Sequence, residues 1–121
     1  MNPCYYCGVT ASGIDHVVPQ KLLRGAVLAG DLDSYFDMTG HGRILEVDSC
    51  QQCNSILGAK FDSSLAERKA RVKARLKQKL AHDLAMPDWS EDQLNELSPD
   101  LRTWVVQGLL RREIARSRIN W

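Results

Sequence analysis

No apolar run in this sequence approaches the roughly 20 residues that span a bilayer, which excludes a transmembrane helix. The N-terminus also lacks the basic-then-apolar pattern of a secretory leader, so the chain is expected to work in a cytoplasm. Cysteine is scarce, with four residues, and a reducing compartment favours metal ligands over disulfides for them. Aromatic residues make up 7% of the chain and are scattered, which argues against a base-stacking platform for single strands. There is no internal repeat and no low-complexity tract. What remains is an ordinary apolar fraction of 44% over 121 residues, enough for one domain with one modest core.

The net charge of +1 hides a segregation. Residues 1–59 carry three basic and six acidic side chains, whereas residues 60–82 carry eight basic and two acidic. Residues 83–100 hold six acidic and no basic side chains, and residues 101–121 hold five arginines and one glutamate. A polyanion would meet these local stripes, not the neutral average.

Local patterns place the elements. "CYYCGVTASGIDHVV" reads as a knuckle followed by a short hairpin with Ser12-Gly13 near its turn. Residues 20–42 mix a short helical stretch with loop, and "RILEV", residues 43–47, fits a short strand. Ser49 is expected to cap the next helix, with Gln52 as the reciprocal partner, and Gly58 to end it. From Phe61 to His82 the pattern is strongly helical, with Leu65, Val72, Leu76 and Leu80 in a narrow apolar stripe. After a segment broken by two prolines, Ser98 and Pro99 start a last helix. Its expected apolar face is Leu101, Trp104, Val105, Leu109 and Ile114.

Cys4-x2-Cys7 and Cys50-x2-Cys53 have the spacing of two zinc knuckles. Zinc suits four thiolates because it is tetrahedral and redox-inert, and joining the two pairs would staple segments separated by 42 residues. Two unrelated buried pairs and a thiol-disulfide redox site are the competing readings. No thioredoxin-like helix pattern follows "CYYC" to support the second.

Asp15 and His16 lie between the knuckles, with Pro19 just after them, and Asn54 directly follows the last cysteine. A lone histidine near an apolar segment is usually structural. If zinc joins the knuckles, however, these three residues are drawn towards one place. A carboxylate and an amide oxygen are hard ligands suited to Mg²⁺ or Mn²⁺, and a neutral imidazole can accept a proton from water. That combination suits phosphodiester hydrolysis. One geometric obstacle is that neighbours on a regular strand face opposite ways, so a shared site needs the strand to end, kink or bulge.

"CYYC…IDHVVP…CQQCNSILG" resembles the zinc-containing HNH nucleases, including relatives of recombination endonuclease VII, over residues 4–60. The resemblance implies a ββα-metal centre in which Asp15 and Asn54 hold Mg²⁺ or Mn²⁺ and His16 is the general base. Cys4, Cys7, Cys50 and Cys53 would hold a separate structural zinc. It also implies products ending in a 5′-phosphate and a 3′-hydroxyl, and a bacterial or phage-infected host cell. One feature departs from the family pattern: "GRILEVDSC" has no asparagine to orient the histidine. A backbone carbonyl is one substitute and His41 another, although a solvated loop residue is the simpler reading of His41. His82 reads as exposed.

Lys60, Arg68, Lys69, Arg71, Lys73, Arg75, Lys77 and Lys79 spread around the basic helix with few acidic partners four residues away. A solvated surface helix normally alternates sign, so DNA phosphates are the expected counter-charge. The helix's apolar stripe would pack on the C-terminal helix or pair with its copy in a homodimer. The expected fold is α+β and mostly α: a small ββα-metal (HNH) centre in residues 1–60, stapled by a four-cysteine zinc. A helical extension follows in 61–121, comprising a basic helix 61–82, an acidic linker 83–98 and a C-terminal helix 99–119. The expected function is a metal-dependent DNA endonuclease. The rivals are a non-catalytic zinc-stapled nucleic-acid-binding module and an interaction protein of a larger machine, such as a phage packaging complex.

Overall fold

The computed structural model describes residues 2–17, 46–62 and 64–121. The expectations for residues 20–42, for Pro19 and His41, and for the first part of the 43–47 strand lie outside these residues. The described part is a small, mostly helical α+β structure built around a two-stranded sheet and a four-cysteine cluster. No helix among the described residues is long and apolar enough to cross a membrane.

The first knuckle is a tight loop bridged by Pro3 and Thr10. Gly8 donates its N–H to the Cys4 carbonyl at 2.9 Å and adopts φ +81°, a conformation that a side chain resists. Strand β1, Gly13–His16, then pairs antiparallel with β2, Glu46–Ser49. The register runs unbroken from Gly13 opposite Ser49 to His16 opposite Glu46. Ser12-Gly13 is therefore not a hairpin turn. Gly13 is the first paired residue, and its partner strand comes from beyond residue 45.

Helix α1, Gln51–Leu57, follows β2 directly and ends at Gly58, whose φ of 56° stops it as expected. Its start differs from expectation. Cys50, not Ser49, is the N-cap, and the Cys50 sulfur accepts from the Cys53 N–H at 3.4 Å. Ser49 is fully buried at the end of β2, and its hydroxyl donates to the Cys50 carbonyl, so it cannot turn to cap. Thiolate geometry and helix capping are thus the same local structure.

Helix α2, Leu65–Lys79, is capped by Ser64, which accepts from the Glu67 N–H at 3.1 Å. A further turn, α3, Ala81–Leu84, extends it. The segment read as a linker contains a short helix, α4, Glu91–Asn95, started by a Ser90–Gln93 capping box. Helix α5, Pro99–Asn120, begins at the expected Ser98-Pro99.

One core joins the two halves of the chain. Val72 and Leu76 of α2 are fully buried with Leu57, Tyr6 and the four cysteines. Burying each aliphatic side chain contributes about 1.5–3 kcal/mol before entropy is counted. The α2 stripe is therefore used inside this chain, against α1 and the knuckles, and only Ile119 of α5 joins its edge. Helix α5 buries Val105 of the expected face, together with Gly108, Arg112 and Ala115, which were not expected there. Leu101, Trp104 and Ile114 are more than half exposed. Arg112 takes a packing position because its guanidinium reaches the Met86 carbonyl and Asp88.

Candidate functional site

The four cysteine sulfurs lie within 4.8 Å of one another, and all four residues are buried. Zinc–sulfur bonds of about 2.3 Å in a tetrahedron place sulfurs roughly 3.8 Å apart. Cys7 and Cys50 stand 3.7 Å apart, too far for a disulfide and right for a shared cation. Hydrogen bonds from Cys53 and Cys7 push the Cys4 thiol far below its ordinary range, and its bond to Cys4 pushes Cys53 far above. Burial raises Cys50. The donor set fits one structural metal such as zinc, which would displace the thiol protons and lock both knuckles together.

The C-terminal end of α5 closes over this cluster. Trp121 donates its indole N–H to the Tyr5 carbonyl at 3.1 Å and covers Gly8, where a Cβ would stand 2.5 Å from the indole ring. Lys73 donates to the carbonyls of Arg118, Ile119 and Trp121, capping the negative end of α5. Burial lowers the Lys73 ammonium's pKa despite the nearby thiols.

Asp15, His16 and Asn54 are brought onto one strand–strand–helix unit but aimed differently. With no bulge in the register, Asp15 turns inward at 5% exposure and His16 outward. The Asp15 carboxylate is gripped by Arg68 of α2, Nε to Oδ2 at 2.9 Å and Nη2 to Oδ1 at 2.7 Å. The Tyr6 hydroxyl donates to Oδ2 as well. Burial, together with this bond to Asp15, pushes the Tyr6 hydroxyl's pKa well up, so it stays a proton donor. Burial works against the Arg68 charge, but the bond and charge of Asp15 overcome it and raise its pKa. Asn54 donates from Nδ2 to the Ile14 carbonyl at 3.4 Å, tying α1 to β1.

A carboxylate and an amide are suitable donors for Mg²⁺ or Mn²⁺, but charge and access here are not. Asp15 is buried and neutralised by a guanidinium that occupies both its oxygens. The arrangement does not fit a hydrated divalent ion at Asp15, and the carboxylate acts as the anchor between β1 and α2.

His16 lies beside a residue that sequence reasoning passed over. Glu46, its cross-strand neighbour, places Oε1 3.7 Å from the imidazole Nδ1 on the open face of the sheet. Glu46 stands in "GRILEVDSC", the segment that leads into the second knuckle. The β2 register was the missing signal, and it was not readable without the partner strand.

The eight basic residues divide by what they already hold. Arg68 is 1% exposed and bonded to Asp15, Asp62 and the Lys60 carbonyl, which removes it from any surface contact. Lys73 is engaged at the end of α5, and Lys69 lies 5.1 Å over the Tyr5 ring. Arg71 forks onto Asp62 but remains partly exposed. Lys60, Arg75, Lys77 and Lys79 are exposed. His82 is exposed, as expected.

Comparison with family models, curated proteins and solved structures found no match.

Proposed function

We propose that this chain is an HNH-type endonuclease acting on DNA, with His16 as the general base. The observation that carries this reading is the His16–Glu46 pair: an exposed imidazole beside a carboxylate, on a two-stranded sheet whose second strand runs straight into the cysteine-bearing helix. A carboxylate near Nδ1 favours the tautomer that keeps the proton there and leaves Nε2 to accept one from water. The sheet holds the imidazole in place through the His16–Glu46 register, and the cysteine cluster holds the sheet against α1. The attacking water, giving a proton to Nε2, would add to the phosphorus of a strand lying across the open face as the P–O3′ bond breaks, and the leaving 3′-oxygen would take a proton from solvent. The 5′-phosphate and 3′-hydroxyl ends implied by the resemblance belong to this proposal.

Zinc, when bound to the four cysteines, supplies rigidity and no chemistry. Mg²⁺ or Mn²⁺ between Asp15 and Asn54 forms no step of this mechanism, because Arg68 holds Asp15.

A specific observation favours a second reading. That same Arg68–Asp15 pair is what a frame kept for binding alone would show, with the catalytic carboxylate turned into a structural anchor. Plasmid nicking by the wild type and by His16→Ala separates the two readings.

A further inference from the structure

Four members of the basic set line one groove. Arg71, Arg75 and Lys79 stand at successive fourth positions of α2, so they form a single row about 12 Å long. Lys60 faces them from the loop after α1, and Ser55 and Ile56 of α1 complete a groove of about 350 Å³. Like charges four residues apart on a helix destabilise it, and among the described residues no carboxylate pairs with Lys60, Arg75 or Lys79. Arg75 is only hydrogen-bonded to Gln78. Among the described residues, the carboxylate ion-paired with a groove arginine is Asp62, which is shared between Arg68 and Arg71. It holds Arg71 in position at the groove and neutralises none of the other three cations.

We propose that this groove seats consecutive phosphates of one nucleic-acid strand. A strand of B-DNA carries one phosphate per roughly 3.4 Å of axis, so a 12 Å row spans about three to four of them. Among the described residues no aromatic side chain lines the groove, and the polar side chains lining it are cations and one hydroxyl. It therefore grips the backbone without reading bases or stacking on them. The row's length favours a strand over a single nucleotide or a free phosphate, which would occupy one end. This inference deepens the nuclease reading and rests on it for the choice of nucleic acid as the polyanion.

The test measures binding without divalent metal, apart from cleavage. A fluorescent 20-base-pair duplex is titrated with the wild type from about 50 to 200 mM salt, alongside Lys60→Ala/Arg75→Ala/Lys79→Ala and the control Lys69→Ala/Lys77→Ala. Each lost phosphate contact lowers the slope of log affinity against log salt by about 0.9. The triple variant is expected to lose about 2–3 from the slope, and the control less than about 1. Far-UV circular dichroism and zinc content should be unchanged, since the three side chains are exposed. An unaltered slope in the triple variant, an equal loss in the control, or binding of the wild type to anionic vesicles but not to duplex would each overturn the proposal. A triple variant that still nicks DNA with an unchanged slope defeats the groove alone. A His16→Ala variant that nicks normally while binding normally defeats the catalytic assignment alone.

Discussion

Arg68 and Asp15, 53 positions apart in sequence, form a two-pronged ion pair buried between β1 and α2. The pair joins the knuckle half of the chain to its helical half. Asp62 adds a second carboxylate to Arg68 and a fork to Arg71, so two carboxylates from separate segments converge on two arginines. Desolvating such charges is costly, and hydrogen bonds on both partners offset that cost.

Removing one member should therefore harm the fold more than removing both. Arg68→Ala leaves Asp15 buried and unpaired and is expected to cost about 3–5 kcal/mol in urea unfolding of the metal-loaded protein. Arg68→Met with Asp15→Leu should recover most of that loss. A single variant as stable as the wild type would show that the pair does not hold β1 to α2.

Asp62 ties acid stability to the same network. Its bond to Arg71, more than its burial opposes, holds the carboxyl below the ordinary range, helped by Arg68. A depressed folded-state pKa stabilises the protein above the unfolded value of about 3.9, and the benefit disappears as pH falls through the folded value. The difference in unfolding free energy between the wild type and Asp62→Asn should be constant from about pH 5 to 7 and shrink below about pH 4. A difference that is flat down to pH 2.5 would contradict this linkage.

The cysteine cluster predicts about one zinc per chain by elemental analysis. Cys50→Ser should lose the metal and most cooperative folding, because Cys50 supplies a sulfur, caps α1 and sits in the core. His16→Ala should retain full zinc. Zinc-free protein with an unchanged melting curve would refute a structural metal.

Which features were legible in the sequence follows from how local their causes are. The two knuckles, the stop at Gly58 and the start at Ser98-Pro99 depend on neighbours within four residues, and each lies where its spacing placed it. The cap at Cys50 went unread because a cysteine is rarely read as a cap, and Ser49 beside it was the better capping residue on propensity alone. Distant partners were not readable. Nothing in "RKARVKAR" shows that Arg68 turns inward to a carboxylate on a strand while Arg75 turns outward. The same holds for Glu46, which is an ordinary acidic residue until the register sets it opposite His16. On α5 the inward face mixes apolar Val105 and Ala115 with Gly108, which lies against Met86, and Arg112, which bonds the Met86 carbonyl, and that mixture hid the face from its apolar pattern.

Nicking of supercoiled plasmid by the wild type and by His16→Ala, at matched zinc content and purity, tests the nuclease reading most directly. The proposal predicts that the wild type converts supercoiled to open-circle DNA and that His16→Ala does so roughly 10²–10⁴-fold more slowly while binding duplex equally well. Equal nicking by the two proteins would remove His16 from the chemistry. No nicking by the wild type on plasmid, branched or single-stranded DNA would leave a zinc-stapled binding module in place of the enzyme.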